Sequence, residues 1–194
     1  MEDQNTRQSL LTAGKKEFLA HGYKGASLRR ICADAGVTTG ALYFFFDNKA
    51  DLFAEIVRRP LEEFSHLAEE SIAIEFQDGS AFPETEDRII RFLIANRDEC
   101  ILLLEKADGT IYADFREKWQ EKLEQVFSTF FEKYLGKKAD PAIVHLITTM
   151  RMHGYLELLR AGYSEGESRK LVNEMAVYAD AGFYALIDAL KQEK

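Results

Sequence analysis

Cysteine is scarce in this chain: Cys32 and Cys100 are the only two among 194 residues. Two thiols are too few for a disulfide scaffold, and they lack metal-ligand spacing, so no metal is expected. No apolar run approaches the roughly 20 residues that a membrane span needs. The N-terminus, MEDQNTRQ, is polar and carries two early acids, unlike a secretory signal. These absences place the protein in the cytoplasm, away from any membrane. The alternating pattern of a half-buried strand is missing, as are internal repeats and low-complexity segments. A P-loop, a nucleophile elbow, an HExxH zinc motif and paired catalytic carboxylates are missing too, so neither an enzyme nor a cofactor is expected.

What is present is an ordinary globular composition, 46% apolar and 30% charged, with enough length for a substantial core. The net charge of −8 is unevenly spread. Residues 1–59 carry nine Lys/Arg against seven Asp/Glu, whereas the remainder carries sixteen against twenty-six. The first part is +2 and the rest −10, so only the first sixty residues tolerate a polyanion.

Periodicity, caps and breakers predict helices throughout. A first helix over about 6–20 ends at Gly22, a second runs from Ser27 to Ala35 and stops at Gly36, and a third from Thr38 or Thr39 ends near Phe45. Asn48, with Asp51 as its capping-box partner, starts a fourth helix, which Pro60 is expected to end or kink near Arg59. That proline is the expected domain boundary, giving residues 1–59 and 60–194. Further on, QDGSAFPETED (77–87) reads as a loop, followed by helices over about 85–95, 98–107 and 111–135. Asp140-Pro141 opens a helix of residues 140–160 that Gly162 closes, and Ser164 with Glu167 caps a last helix of residues 164–191. That last helix carries two adjacent apolar stripes: Val172, Ala176, Ala179, Phe183, Leu186, Leu190, and Leu171, Met175, Tyr178, Gly182, Ala185. The width suggests a partner subunit as a second packing surface.

Two short helices joined by a tight glycine turn, with the second free to enter a major groove, are the layout of a helix-turn-helix. With Leu42 facing inward, 100° steps put Phe46 beside it, spread Thr39, Gly40, Tyr43 and Phe44 over the opposite side, and leave Phe45 at the margin. The outward set suits DNA: threonine meets phosphate or base edges, Gly40 admits a close backbone, Tyr43 reaches a phosphate, and Phe44 meets thymine methyls. A core plug of three phenylalanines explains the same run without DNA.

The stretch FLAHGYKGASLRRICADAGVTTGALYFFFDNKADLF (18–53) resembles the DNA-binding segment of the TetR family of bacterial transcriptional regulators. The likeness lies in Phe18, Gly22-Tyr23, Ser27, Ile31, Ala35-Gly36-Val37, Gly40, Leu42-Tyr43, Phe46, Lys49 and Leu52. It implies an all-α fold: an N-terminal helix-turn-helix three-helix domain joined to a larger helical ligand-binding and dimerisation domain. It implies a repressor that binds a palindromic double-stranded operator as a homodimer and is released by a small-molecule effector. Thr38, Thr39, Gly40 and Tyr43 would meet DNA, with Ser27, Tyr43 and Lys49 on its backbone. Arg30, in place of the family's frequent acid, is expected to approach a phosphate. Phe44 and Phe45 stand where the family more usually has an aromatic followed by a histidine that helps hold DNA, and Asp47 where a basic or small polar residue is common. These departures keep open an alternative, a helical interaction module with weakened or lost DNA binding.

For the larger domain, dimerisation is expected through the last two helices. Candidate effector-pocket residues are Phe64, Phe92, Cys100, Tyr112, Phe115, Trp119, Met150, His153 and Tyr155, with Glu105, Arg151 and Glu157 as charged anchors. Each of these is also an ordinary core or surface residue. His145 and His153 lie about 80° apart around a helix and cannot share a metal.

Overall fold

The computed structural model describes residues 2–77 and 82–192, and all regular structure among them is helical. The helices are α1 (Glu2–Gly25), α2 (Leu28–Ala35), α3 (Thr39–Phe45), α4 (Lys49–Gln77), α5 (Phe82–Ala95), α6 (Arg97–Ile101), α7 (Phe115–Leu135), α8 (Pro141–Ala161) and α9 (Glu165–Gln192). A π-helical turn, Leu102–Lys106, continues α6.

The chain forms two compact units, Met1–His66 with Asn96–Arg116, and Leu67–Ala95 with Glu117–Lys194. Residues 96–116 therefore pack with the N-terminal helices. In the first unit Leu10 and Phe18 of α1, Ile31 of α2, Leu42 of α3 and Leu52, Phe53 and Val57 of α4 close around Leu102 and Leu103. Each is buried, and their removal from water holds α2 and α3, of 8 and 7 residues, which are too short to be stable alone.

In the second unit Phe127 and Phe131 of α7 pack with Val144 of α8 and Ile187 of α9. A separate cluster joins Ile90 of α5 to Leu158 and Val172. The one buried hydroxyl in the α8 core, Thr148, is satisfied: it donates to the Val144 carbonyl at 3.0 Å and accepts from the Gln120 amide at 2.7 Å.

Helix termini follow their local chemistry. Thr38 caps α3 by accepting from the Ala41 N–H, and Asp140 caps α8 from Ala142 with Pro141 at its first position. Ser164 and Glu167 form the reciprocal capping box of α9. Asn48 accepts from the Ala50 and Asp51 N–H groups, but the Asp51 carboxylate accepts from the Asp47 N–H, one residue before the cap.

Four expectations need correction. Helix α4 does not end at Arg59 but runs through Pro60 to Gln77, because buried Leu52, Phe53, Val57 and Phe64 keep one face seated on both sides of the proline. Helix α5 starts at Phe82 and includes Pro83, while residues 78–81 of the expected loop lie outside the described residues. The helix expected over 98–107 is a short α-helix passing into the π turn. Helix α7 starts at Phe115, since Thr110 accepts from the Tyr112 N–H and the chain turns through residues 111–114 first.

Candidate nucleic-acid interface

The approach to α2 is built by glycine and by one carboxylate. Gly22 takes φ 66° and ψ 169°, a conformation essentially reserved for glycine, and breaks the α1 helix. The chain then passes through residues 23–27 into α2. Glu17, on the last regular turn of α1, accepts from the Ser27 N–H at 2.9 Å and from Arg30 Nε at 2.7 Å, and forms an ion pair with Arg30 Nη2 at 2.6 Å. Arg30 also donates to the Gly25 carbonyl at 2.8 Å. Burial raises the Glu17 pKa, yet the hydrogen bonds from Arg30 and the Ser27 N–H outweigh it and hold the carboxyl below its ordinary range.

Arg30, expected on a phosphate, is exposed and engaged with groups of its own chain. Lys49 is engaged too: its ammonium donates to the carbonyls of Tyr23 at 2.7 Å, Ala26 at 3.1 Å and Lys24 at 3.4 Å, and lies 4.5 Å from the Tyr23 ring centre. It caps the end of α1 and ties it to the first turn of α4.

The residue that the sequence reasoning passed over is Arg29. It is exposed and forms no hydrogen bond or ion pair among the described residues. The first turn of α2 holds no acid, although a helix N-terminus favours one, so the free guanidinium there is unfavourable to the isolated chain and favourable beside a phosphate. The signal was the Arg29-Arg30 pair; which member is free depends on Glu17. Ser27 sits at the N-cap but makes no capping bond with its side chain, which leaves its hydroxyl for another partner.

Helix α3 presents Thr39, Gly40, Tyr43 and Phe44 outward, while Leu42 and Phe46 are buried. Thr38, also exposed, uses its oxygen as the cap. Phe44 is 75% exposed and Tyr43 54%. Phe45 is half-buried, packs against the core of the first unit, and meets the Phe44 ring edge-on at 4.9 Å and 89°. A Cβ on Gly40 would come no nearer than 3.7 Å to any neighbour, so nothing inside the chain requires glycine there.

The nine effector-pocket candidates divide between the two units. Cys100 is buried in the first unit, and burial, with Glu99 nearby, pushes its thiol up to about 12, an inert state. Tyr112 and Phe115 pack on the first unit's core, where Tyr112 lies 6.3 Å from the Phe53 ring, and Phe64 is buried in the same unit. Met150 and His153 face outward on α8. Phe92, Trp119 and Tyr155 are half-buried in the second unit, Tyr155 within the cluster around Leu158. A cleft there is lined by other residues: Phe127, Phe130, Tyr134, Arg151, Ala179, Asp180, Phe183 and Tyr184. Its volume is about 40 Å³, against the roughly 300–1,000 Å³ of ordinary ligand pockets.

Comparison with known proteins agrees with this geometry. Residues 10–56, which span α2 and α3, match the model of bacterial regulatory proteins, tetR family. The chain is 27% identical over 163 residues to the HTH-type transcriptional repressor AcnR of Corynebacterium diphtheriae, a match covering 81% of this chain and 78% of that protein. It is 32% identical over 111 residues to the HTH-type transcriptional repressor BepR of Brucella suis, covering 50% of this chain and 52% of that one. A solved structure proposed as a fatty acid metabolism regulator of Clostridium perfringens matches with a TM-score of 0.59 at 19% identity, over 88% of this chain and 96% of the other, a likeness of fold.

Proposed function

The chain belongs to the TetR family of bacterial regulatory proteins, and on that premise we propose that it is a ligand-responsive transcriptional repressor that binds a palindromic operator as a homodimer. The observation that carries the DNA-binding part is the outward face of α3, where Thr39, Gly40, Tyr43 and Phe44 stand on a rigidly seated helix in the one part of the chain with net positive charge. Such a face serves no purpose in the monomer's own packing. Arg29 and the Ser27 hydroxyl supply phosphate contacts, and Thr38 and Tyr43 add further ones. Arg30 and Lys49 act by holding the turn that delivers α2.

Residues 1–59 carry the DNA-binding role and residues 60–194 the effector and dimerisation roles. The homodimer forms through α8 and α9, whose outer faces expose Leu146, Met150, Val177 and Tyr178 beside the small residues Gly182 and Ala185. An effector that favours a dimer with the wrong spacing between its two α3 helices lowers DNA affinity by the same coupling free energy with which DNA opposes the effector. No helix among the described residues is long and apolar enough to cross a membrane, and the work of a repressor places the protein in the cytoplasm.

Fluorescence anisotropy with labelled duplex from upstream of the protein's own gene tests this reading. Sequence-specific binding that weakens steeply with salt is expected. Equal affinity for an unrelated duplex at every salt concentration would reject it.

A further inference from the structure

We propose that Phe45 is a positioning residue that holds Phe44 as a fixed apolar probe for thymine methyl groups. The proposal rests on the DNA-binding reading and deepens it. Phe44 is 75% exposed, and an apolar ring left in water on a short helix forfeits the stabilisation that burial would bring. On its own such a ring would exchange between rotamers. Here Phe45 lies against it edge-to-face, with centroids 4.9 Å apart and planes at 89°, a favoured arrangement of aromatic quadrupoles.

Phe45 is itself anchored, because it packs on the first unit's core and is followed at once by Phe46, which leaves the helix in extended conformation and is buried. The order of the first unit's core therefore passes through Phe45 to the exposed ring. A side chain ordered before binding loses less freedom on contact, and an apolar edge in the major groove distinguishes thymine by its C5 methyl. The resemblance to the family implies a histidine contact at position 45. A phenylalanine cannot make it, and the geometry assigns this ring to readout by its neighbour instead.

The test uses the full-length protein and the duplex it selects from a random pool. Each thymine is replaced singly by deoxyuridine, which removes only the methyl group. At one position in a half-site, affinity is expected to fall about fourfold, the worth of one buried methyl. Phe44→Ala abolishes that sensitivity. Phe45→Leu, which keeps an apolar group on the core but removes the ring edge, reduces it below about twofold, with helicity and the salt dependence of binding unchanged. Phe45→Tyr retains it. Full deoxyuridine sensitivity in Phe45→Leu overturns the positioning role. A wild-type protein that selects an operator yet ignores every deoxyuridine overturns methyl readout and leaves the regulator reading standing. Selection of no sequence at all overturns both.

Discussion

Helix α3 and the pair α8–α9 both leave large apolar side chains in water, yet their surroundings differ in every other respect. On α3 the exposed rings Tyr43 and Phe44 sit among Thr38, Thr39 and Gly40, in a segment of charge +2. On α8 and α9 the exposed Leu146, Met150, Val177 and Tyr178 lie on helices of 21 and 28 residues, in a part of the chain that carries −10. Exposure alone does not say what a surface meets; charge and neighbouring polar groups say what kind of partner it suits. Residues 60–194 taken together repel a polyanion, so their α8–α9 face suits a second protein surface, while the small, hydroxyl-rich α3 face suits a groove.

The largest effect should come from breaking the α8–α9 side of this comparison. Met150→Arg combined with Tyr178→Arg places charge in the middle of the proposed dimer face. Sedimentation velocity is expected to show monomers, and affinity for a full palindrome to fall by about a hundredfold or more as the two half-sites cease to be bound together. A dimer that survives both charges would move the interface off these two helices.

On the α3 side, Gly40→Ala separates folding from binding. With no neighbour nearer than 3.7 Å to the added methyl, thermal or urea unfolding should show a gain of up to about 1 kcal/mol from helix propensity. Operator affinity should fall roughly tenfold, equivalent to about 1.4 kcal/mol. Unchanged affinity would mean that no backbone comes close at Gly40, and α3 would then lie differently in its groove.

The same contrast between local and long-range causes governs what could be read from the sequence. The stop of α2 and the starts of α8 and α9 were legible because Gly36, Asp140-Pro141 and Ser164-Glu167 act on groups within four residues of themselves. The inward turn of Leu42 and Phe46 and the outward turn of Phe44 followed from a 100° step. Pro60 does not end its helix, because a local breaker is outweighed by a row of buried side chains extending beyond it. The packing of Tyr112 and Phe115 on the first unit's core was not legible, because nothing in the sequence says that residues 96–116 return to pack with α1. The engagement of Lys49 with carbonyls at residues 23–26 was hidden for the same reason.

The smallest expected effect is also the finest discrimination, between two adjacent arginines. Arg30 is held by Glu17 and the Gly25 carbonyl, whereas Arg29 has no partner among the described residues. Arg29→Ala should weaken operator binding only several-fold at moderate salt and should reduce the slope of log affinity against log salt by about 0.9 per half-site, because one phosphate contact releases about that many counterions. Arg30→Ala should leave that slope in place. Its effect falls on the turn instead: Glu17 loses the hydrogen bonds that offset its burial, its pKa rises towards the ordinary carboxylate range, and the Ser27 N–H keeps a less firmly held acceptor. If Arg30→Ala flattens the slope and Arg29→Ala does not, then Arg30 leaves Glu17 on binding, and the Glu17–Arg30 pair belongs to the free protein alone.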